Sequence, residues 1–203
     1  MGNDLHKWFP AEAIGKVEKL FSLADFSFRV TKKRTSKLGD FRVIGNKTFI
    51  SVNGDLSKHQ FLITFVHEFA HWAVYKKYKN RVKPHGIEWK RAFAYYLMPF
   101  VEAGIFPEAI EEPLRDYLKN PCATVFSHVT LYRALAFADG VGEFVFLEDV
   151  AEGEEFVFQS MRYKKLKKRR TRALCVAQPS GRKYFINQQA KVIWPLHSKS
   201  SID

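Results

Sequence analysis

The first half of the chain alternates between the apolar spacing of helices and that of strands. Between residues 11 and 23, apolar side chains recur every three or four positions, which predicts an amphipathic helix with Pro10 in its first turn. Apolar and polar residues then alternate over 26–30, 40–44 and 48–52. This period of two predicts two or three short strands, because successive side chains of a strand point to opposite faces.

A long helix is predicted over residues 56–78, where large apolar side chains recur at helical spacing. The turn-forming residues 53–55 precede it, and either Asp55 or Ser57 is suited to cap its first turn. Lysines in the last turn fit the negative end of the helix dipole. This helix is the longest element that the pattern predicts.

Two further helices are predicted before residue 122. One covers 86–98 and is expected to stop or kink at Pro99, since proline lacks the backbone N–H that a helix needs. The other covers 107–118 and is expected to be divided at Pro113. Together with the preceding elements they form a mainly helical first region.

Beyond residue 122 the pattern changes to short β-type runs separated by glycine and polar turns. The predicted strands cover 125–131, 144–147, 156–158, 173–177, 184–186 and 192–194. We therefore predict an α+β protein: a first domain over 1–122, a small antiparallel β module over 123–196 and a flexible tail over 197–203.

Composition excludes several classes of protein. The chain has 203 residues, of which 46% are hydrophobic and 27% charged, as in folded globular proteins. No apolar run approaches the roughly 20 residues that a bilayer span needs, and the N-terminal residues lack the pattern of a signal peptide. Two cysteines are too few for a disulfide framework. We therefore expect a cytoplasmic protein with no membrane partner.

The segment His67-Glu68-Phe69-Ala70-His71 forms an HExxH motif inside the predicted long helix. Residues four apart lie on the same helix face, so His67 and His71 can reach one metal ion. Zinc with three protein ligands keeps a position for water and lowers the pKa of that water to about 7. Glu68 is offset around the helix, which suits a base that takes the proton of this water. The motif predicts one catalytic Zn²⁺ ion.

A catalytic zinc ion also needs a third protein ligand. Residues 72–84 contain neither histidine nor an acidic residue. The nearest candidate is His85, which lies between a proline and a glycine in a predicted bend before the next helix. Glu88 and Glu102 remain alternatives, since zinc sites with two histidines and one glutamate are also found.

The motif HEFAH, followed by a lysine- and tyrosine-rich link and then HGIEWK, resembles the SprT-like zinc metallopeptidase family, which includes Spartan. The resemblance covers about residues 5–118 and is sharpest over 50–93. It implies a zincin-like helical metallopeptidase domain with a short N-terminal sheet, acting on protein substrates. It also implies the zinc ligands and the general base, which are His67, His71 and His85 as ligands and Glu68 as base.

The C-terminal part departs from the pattern of this family. Many SprT-like proteins end in a four-cysteine zinc ribbon, whereas this chain has two cysteines and no CxxC pair. We therefore predict a degenerate, ribbon-like β module held together by an apolar core, with no second zinc ion. Cys175 is a candidate relic of the ribbon, but we favour Cys122 and Cys175 as small buried or half-buried apolar residues.

The net charge of +12 suggests a polyanionic partner, and its densest part is a run over 162–172. Such a run neutralises phosphates and releases their counterions, so it predicts DNA binding without sequence specificity. The alternatives are an exposed, flexible hairpin, or a partner for the six acidic residues over 143–155. The predicted nucleic-acid-binding residues are Arg162, Lys164, Lys165, Lys167, Lys168, Arg169, Arg170 and Arg172.

The motif and the basic run together predict a zinc-dependent endopeptidase of SprT type, with DNA-associated proteins as its expected substrates. The alternative is a non-catalytic, zinc-containing protein that binds nucleic acid or takes part in transcription. A third possibility is an interaction module without metal. Metal content and proteolysis separate these three functions.

Overall fold

The computed structural model describes residues 5–23, 25–34, 36–124, 128–138 and 144–194. The chain divides into two compact units, Met1–Gly140 and Val141–Asp203. Helices combined with mainly antiparallel strands confirm the α+β prediction. None of the helices in the described residues combines the length and hydrophobicity that a bilayer span requires.

The N-terminal elements of the first unit follow the predicted order. They are helix α1 (Leu5–Trp8), a 3₁₀ turn (Ala11–Ala13), helix α2 (Ile14–Ser22) and strands β1 (Phe26–Thr31), β2 (Gly39–Ile44) and β3 (Lys47–Asn53). The sheet order is β1-β3-β2, with β1 parallel and β2 antiparallel to β3. A two-residue turn joins β2 to β3, and Gly45 supplies its left-handed φ of +57°. All three segments with a period of two therefore form strands.

Four helices complete the first unit: α3 (Lys58–Tyr78), α4 (Ile87–Glu102), α5 (Glu108–Lys119) and α6 (Val129–Ala138). A stop at Pro99 is wrong, because α4 runs through this residue. The hydrogen bond that Pro99 omits would go to the carbonyl of Tyr95, a residue 73% exposed, where water can take its place. Helix α5 likewise continues through Pro113.

The predicted division at residue 122 and the predicted strand over 125–131 do not match the structure. Residues 125–127 lie outside the described residues, and Val129 begins α6, which packs against α5. Leu131 and Leu135 of α6 are buried four positions apart on one face. This helix adds to the first apolar core, so the first unit extends to Gly140.

Helix α3 lies at the centre of the first unit. It packs against β2 and β3 on one side and against α4 on the other, so its apolar residues are buried almost all round. Phe65 is fully buried, and its ring lies 5.4 Å from Phe9, 5.1 Å from Phe21 and 5.5 Å from Phe28. This aromatic packing fixes the helix that carries the HExxH motif.

The second unit is a small β structure with its own core. Strands β5 (Glu155–Phe158), β6 (Met161–Lys168), β7 (Arg172–Gln178) and β8 (Lys183–Asn187) form an antiparallel sheet in chain order. Strands β4 (Val145–Phe146) and β9 (Lys191–Val192) pair separately. Strand β6 was not predicted, since it contains most of the basic run. The predicted tail over 197–203 lies outside the described residues.

The two cysteines differ in environment. Cys175 of β7 is fully buried in the core of the second unit, and burial raises the pKa of its thiol to about 11. Cys122 is exposed, so the expectation of a buried or half-buried residue is wrong there. The packing of Cys175 among Phe156, Ala173 and Ala177 is that of a small apolar side chain.

Candidate active site

Helix α3 positions the first two candidate ligands. Its N-terminus is capped by Ser57, whose hydroxyl accepts a hydrogen bond from the Gln60 N–H at 3.3 Å. Of the two predicted caps, the structure therefore selects Ser57. His67 and His71 follow in the middle of the helix, one turn apart, and line the same cleft.

His85 is presented by a tight turn between α3 and α4. The Gly86 N–H donates to the Lys83 carbonyl at 3.0 Å, with Pro84 and His85 as the two central residues. His85 has a φ of +57°, as a type II turn requires at its third position, where glycine or asparagine is usual. A histidine held in this sparsely populated region is typical of a functional site.

The three histidines converge on one point. The Nε2 atoms lie 3.1 Å apart for His67 and His85, 3.3 Å for His67 and His71, and 2.9 Å for His71 and His85. A tetrahedral zinc ion with bonds of about 2.0–2.1 Å needs nitrogens about 3.3 Å apart, which this triangle nearly provides. Among the described residues these side chains form a group able to hold a metal ion, and Glu88 and Glu102 are not members of it.

Trp89 packs against all three imidazoles. It lies one turn after His85 on α4, is 1% exposed, and its ring centre lies 4.5 Å from His67, 5.3 Å from His71 and 4.6 Å from His85. Its indole N–H donates to the His67 carbonyl at 3.3 Å. These contacts restrict the imidazole orientations and so preorganise the site.

The surroundings keep the histidines neutral. Burial, followed by the proximity of His71 and His85, lowers the pKa of His67 well below its usual value. Burial, followed by the proximity of His85, lowers the pKa of His71 to about 4. Burial also lowers the pKa of His85. Neutral imidazole is the form that binds a metal, so the donor chemistry as well as the spacing fits zinc.

Glu68 lies on the side of α3 that faces the sheet. It is 7% exposed, and burial, aided by the nearby charge of Asp40, raises the pKa of its carboxyl group to about 8. A hydrogen bond from the Phe41 backbone N–H and the charges of Arg34 and Lys37 act in the opposite direction. A glutamate with a pKa near neutral can both accept and return a proton.

These groups line a cleft of about 810 Å³ in the first unit. One wall is formed by residues 36–41, at the start of β2, and another by α3 and the turn that carries His85. Tyr75, one turn beyond His71 on α3, also lines the cleft and packs against Phe41 with ring centres 5.8 Å apart. The cleft is large enough for a segment of a peptide chain.

The basic run of the second unit does not form one uniform surface. Lys165 is 1% exposed, and its ammonium group donates to the carbonyls of Leu147 at 2.7 Å, Glu148 at 3.3 Å and Val150 at 2.6 Å. The prediction that Lys165 contacts nucleic acid is therefore wrong, because its charge is used inside the unit. Lys168 pairs with Glu148 at 3.0 Å.

The other six predicted cations of the run are exposed: Arg162, Lys164, Lys167, Arg169, Arg170 and Arg172. The acidic stretch over 143–155 thus takes up only part of the run in the described residues, with Glu143 lying outside them. The run lies in strand β6, the turn after it and the first residue of β7, so the exposed hairpin considered as an alternative is what forms.

Sequence reasoning missed residues that shape the site without chemistry of their own. Trp89 contacts all three candidate ligands, which no local pattern in the sequence indicates. Gly39 touches Glu68, and Asn53 anchors the loop before Gly39. The available signal was a glycine at the start of an alternating strand, which often marks a close backbone approach.

Comparison with known protein families identifies a match in the first unit. The sequence model of the SprT-like family matches residues 6–96, a range that contains the HExxH motif, His85 and Trp89. No curated protein and no solved structure gives a significant match to the chain. The family match agrees with the resemblance carried by HEFAH and HGIEWK. Residues 6–96 of this chain are therefore similar to the SprT-like family.

Proposed function

We propose that this protein is a zinc-dependent endopeptidase. The observation that carries the proposal is the convergence of three imidazole Nε2 atoms within 2.9–3.3 Å, two of them on the helix that also bears the buried Glu68. The SprT-like match supports a metallopeptidase-related function. A purely structural zinc site is normally closed by four protein ligands and needs no base, so Glu68 favours the peptidase.

The residues of the cleft have separate roles in this proposal. A zinc ion held by His67, His71 and His85 would supply Lewis acidity and a water molecule with a pKa near 7. Glu68 takes a proton from the water that attacks the scissile carbonyl, and then gives this proton to the leaving amine. Trp89 holds the imidazoles in place throughout.

The cleft suits an extended peptide as substrate. Strand β2 is an edge strand of its sheet, and its first residues, 39–41, line the cleft. An edge strand offers unpaired backbone N–H and C=O groups, which can pair with a peptide laid alongside it. Recognition through backbone groups depends weakly on side chains, so we propose unfolded or extended protein segments as substrates.

Glu68→Gln tests the proposed base. This variant keeps the shape of the side chain and removes its ability to take a proton, so we expect casein cleavage to fall by at least about 100-fold. Zinc content per chain, measured after zinc loading and dialysis, should be unchanged. Glu18→Gln is the matched control, since Glu18 is exposed on α2. Full cleavage by Glu68→Gln would contradict the assigned role.

A non-catalytic, nucleic-acid-binding protein is the second candidate function, and the register of the second sheet favours such a surface. Lys164 pairs with Val176, which pairs with Lys183, while the next positions, Lys165 and Cys175, are buried on the opposite face. Cross-strand partners share a face and adjacent residues do not. The outward face therefore combines cations from β6 and β8.

An exposed aromatic ring lies within this outward face. Phe185 is 54% exposed, pairs with Leu174, which pairs with Lys167, and has the Arg169 guanidinium 5.5 Å from its ring centre. Cations that neutralise phosphates beside a ring on which bases can stack are typical of proteins that bind single strands. We propose that this face binds DNA and, together with the peptidase site, directs cleavage to DNA-associated proteins.

The DNA proposal is tested by replacing Arg162, Lys164 and Lys167 together with alanine. We expect weaker binding of a fluorescent 20-nucleotide single strand, and a salt slope lower by about 0.7 for each phosphate that the variant no longer neutralises. The matched control removes three exposed cations of the first unit, Lys7, Lys19 and Lys47. An unchanged salt slope would contradict DNA binding by this face and leave the peptidase proposal intact.

A further inference from the structure

Gly39, the first residue of β2, lies in direct contact with Glu68. A Cβ atom at Gly39 would lie 2.5 Å from Oε1 of Glu68, 2.7 Å from its Cγ and 2.8 Å from Cγ2 of Thr64. Non-bonded carbon atoms prefer separations of about 3.5–4.0 Å, so no side chain fits here without movement. The φ of Gly39 is not positive. The glycine is therefore required by space and not by backbone conformation.

Neither partner can easily move away on the helix side. Glu68 is 7% exposed, and the clash involves its Cγ as well as the end of its side chain. Thr64, one turn earlier on α3, is fixed by a hydrogen bond from its hydroxyl to the Gln60 carbonyl at 2.7 Å. A substituted residue 39 would consequently displace the carboxyl group of Glu68 or the strand itself.

The strand is held in place from the other side. Gly39 pairs with Val52 of β3, and the next residue, Asn53, donates its backbone N–H to the Leu38 carbonyl at 2.8 Å. The side chain of Asn53 donates to the carbonyls of Arg34 at 3.1 Å and Lys37 at 3.0 Å.

Arg34 closes this network. Its Nε donates to Oδ1 of Asn53 at 2.7 Å, and NH1 donates to Oγ of Ser51 at 3.1 Å. Asn53 is 1% exposed, so these hydrogen bonds are largely shielded from water. Arg34, Lys37 and Leu38 are thus anchored to the end of β3. These bonds hold the backbone of Gly39 in place beside Glu68.

We propose that Gly39 is a positioning residue that sets the location of the Glu68 carboxyl group, with Asn53 and Arg34 fixing the backbone of Gly39. The inference rests on the proposed role of Glu68 as general base. The absence of a side chain lets Glu68 lie against β2, within reach of the Phe41 backbone N–H. The three atoms nearest to a Cβ at Gly39 belong to Glu68 and Thr64 and not to the histidines, so we expect metal binding and base positioning to be separable.

Gly39→Ala tests the inference, with Gly15→Ala as matched control. Gly15 is on α2, has no atom within 4 Å of an added Cβ, and has no positive φ. We expect kcat for casein cleavage to fall by about 100-fold in Gly39→Ala, as for a catalytic group misplaced by about 1 Å, with a smaller change in KM. Gly15→Ala should keep wild-type kcat.

A second measurement reports on the metal site without activity. The visible spectrum of the Co²⁺-substituted protein should be the same in Gly39→Ala and in the wild type, because the three imidazoles are untouched. A wild-type kcat in Gly39→Ala overturns the inference, and so does a changed Co²⁺ spectrum, which would mean that the substitution disturbs the ligands.

A double-mutant cycle on thermal unfolding tests the contact itself. Replacing Gly39 by alanine should lower the Tm of the wild type more than that of Glu68→Ala, which lacks the Cγ and carboxyl atoms of the clash. An equal decrease in both backgrounds overturns the contact. A wild-type protein that binds zinc and cleaves nothing would instead overturn the proposed function, and the cycle would still report on Gly39 and Glu68.

Discussion

Each unit holds ionisable side chains away from water, with Lys165 buried and the three histidines half-buried, but the partners of these side chains differ. In the second unit, the ammonium group of Lys165 has three carbonyl partners at 2.6–3.3 Å. In the first unit, the Nε2 atoms of His67, His71 and His85 face one another at 2.9–3.3 Å. In a neutral imidazole Nε2 carries either a lone pair or a proton, so each of the three histidines directs one or the other toward the shared point.

This difference separates a structural charge from a chemical site. A buried polar group is costly unless it is paired, so a fold that only needed stability would not bring three imidazoles together without a ligand. Lys165 shows the paired arrangement, because its carbonyl partners belong to the segment around the 3₁₀ turn Leu147–Asp149. The convergent histidines are therefore the group that could hold a metal ion, whereas the ammonium group of Lys165 already has its partners within the chain.

The largest expected effect concerns the metal site. His85→Ala removes one of the three proposed ligands. Loss of an outer-shell partner alone lowers metal affinity by about 10–100-fold, so we expect zinc affinity to fall by more than about 100-fold. Casein cleavage should disappear with the metal. The measurement is zinc competition against a chromogenic chelator, followed by the protease assay.

His6→Ala is the control for this experiment, because His6 is exposed on α1. Retention of stoichiometric zinc in His85→Ala would show that the third ligand lies elsewhere. Such a result would also weaken the contrast with the second unit, since the imidazoles would then be packed together without a common ion.

The chemical residues of the site could be predicted from the sequence. The i, i+4 spacing of His67 and His71 within a helix fixes their common face, and His85 is the next residue that can serve as ligand. Two features could not be predicted. They are the turn that gives His85 its φ of +57° and the contact of Glu68 with Gly39. Both depend on contacts between segments that are distant in sequence, and no local pattern encodes them.

The fold was predicted where one face of an element is apolar and failed where charge or proline masked the pattern. Strand β6 alternates buried and exposed residues around Tyr163 and Lys165, but the buried position 165 is a lysine, so the alternation is invisible in the sequence. Helix α4 continues through Pro99 because its packing outweighs the one hydrogen bond that proline omits. Tertiary burial decided both cases.

The second prediction concerns Lys165. Lys165→Met keeps much of the apolar stem and removes the ammonium group that donates to the carbonyls of Leu147, Glu148 and Val150. We expect the second unit to lose about 3 kcal/mol of stability, the size typical of breaking a buried charged interaction. Hydrogen exchange measured peptide by peptide should show faster exchange over β5–β8 and unchanged exchange over α3.

Lys164→Met is the matched control, since Lys164 is the exposed neighbour on the same strand. It should leave exchange in both units unchanged. Equal effects of the two substitutions would mean that Lys165 is no more structural than an exposed lysine. The distinction between Lys165 and the histidine site would then fail.

The smallest expected effect is a pH dependence of the metal-free protein. The folded protein raises the pKa of Glu68 from 4.5 to about 8, so between these values the folded state holds a proton that the unfolded state has released. Stability from this group is present below pH 4.5 and is lost as the pH rises through 8. The lowered pKa values of His67 and His71 affect stability below pH 6.5, the usual pKa of histidine, because there the unfolded state binds more protons than the folded state.

From pH 6.5 to pH 8, the stability change among these site residues therefore comes from Glu68. We expect the free energy of unfolding, measured by urea titration in the presence of a chelator, to fall by about 2 kcal/mol over this interval. Glu68→Gln cannot ionise and should show no such decrease. A wild-type decrease that persists in Glu68→Gln would assign the titration to another group. If the decrease is absent from Glu68→Gln, ionisation of the buried Glu68 destabilises the first unit, whereas the charge of Lys165 in the second unit is paired.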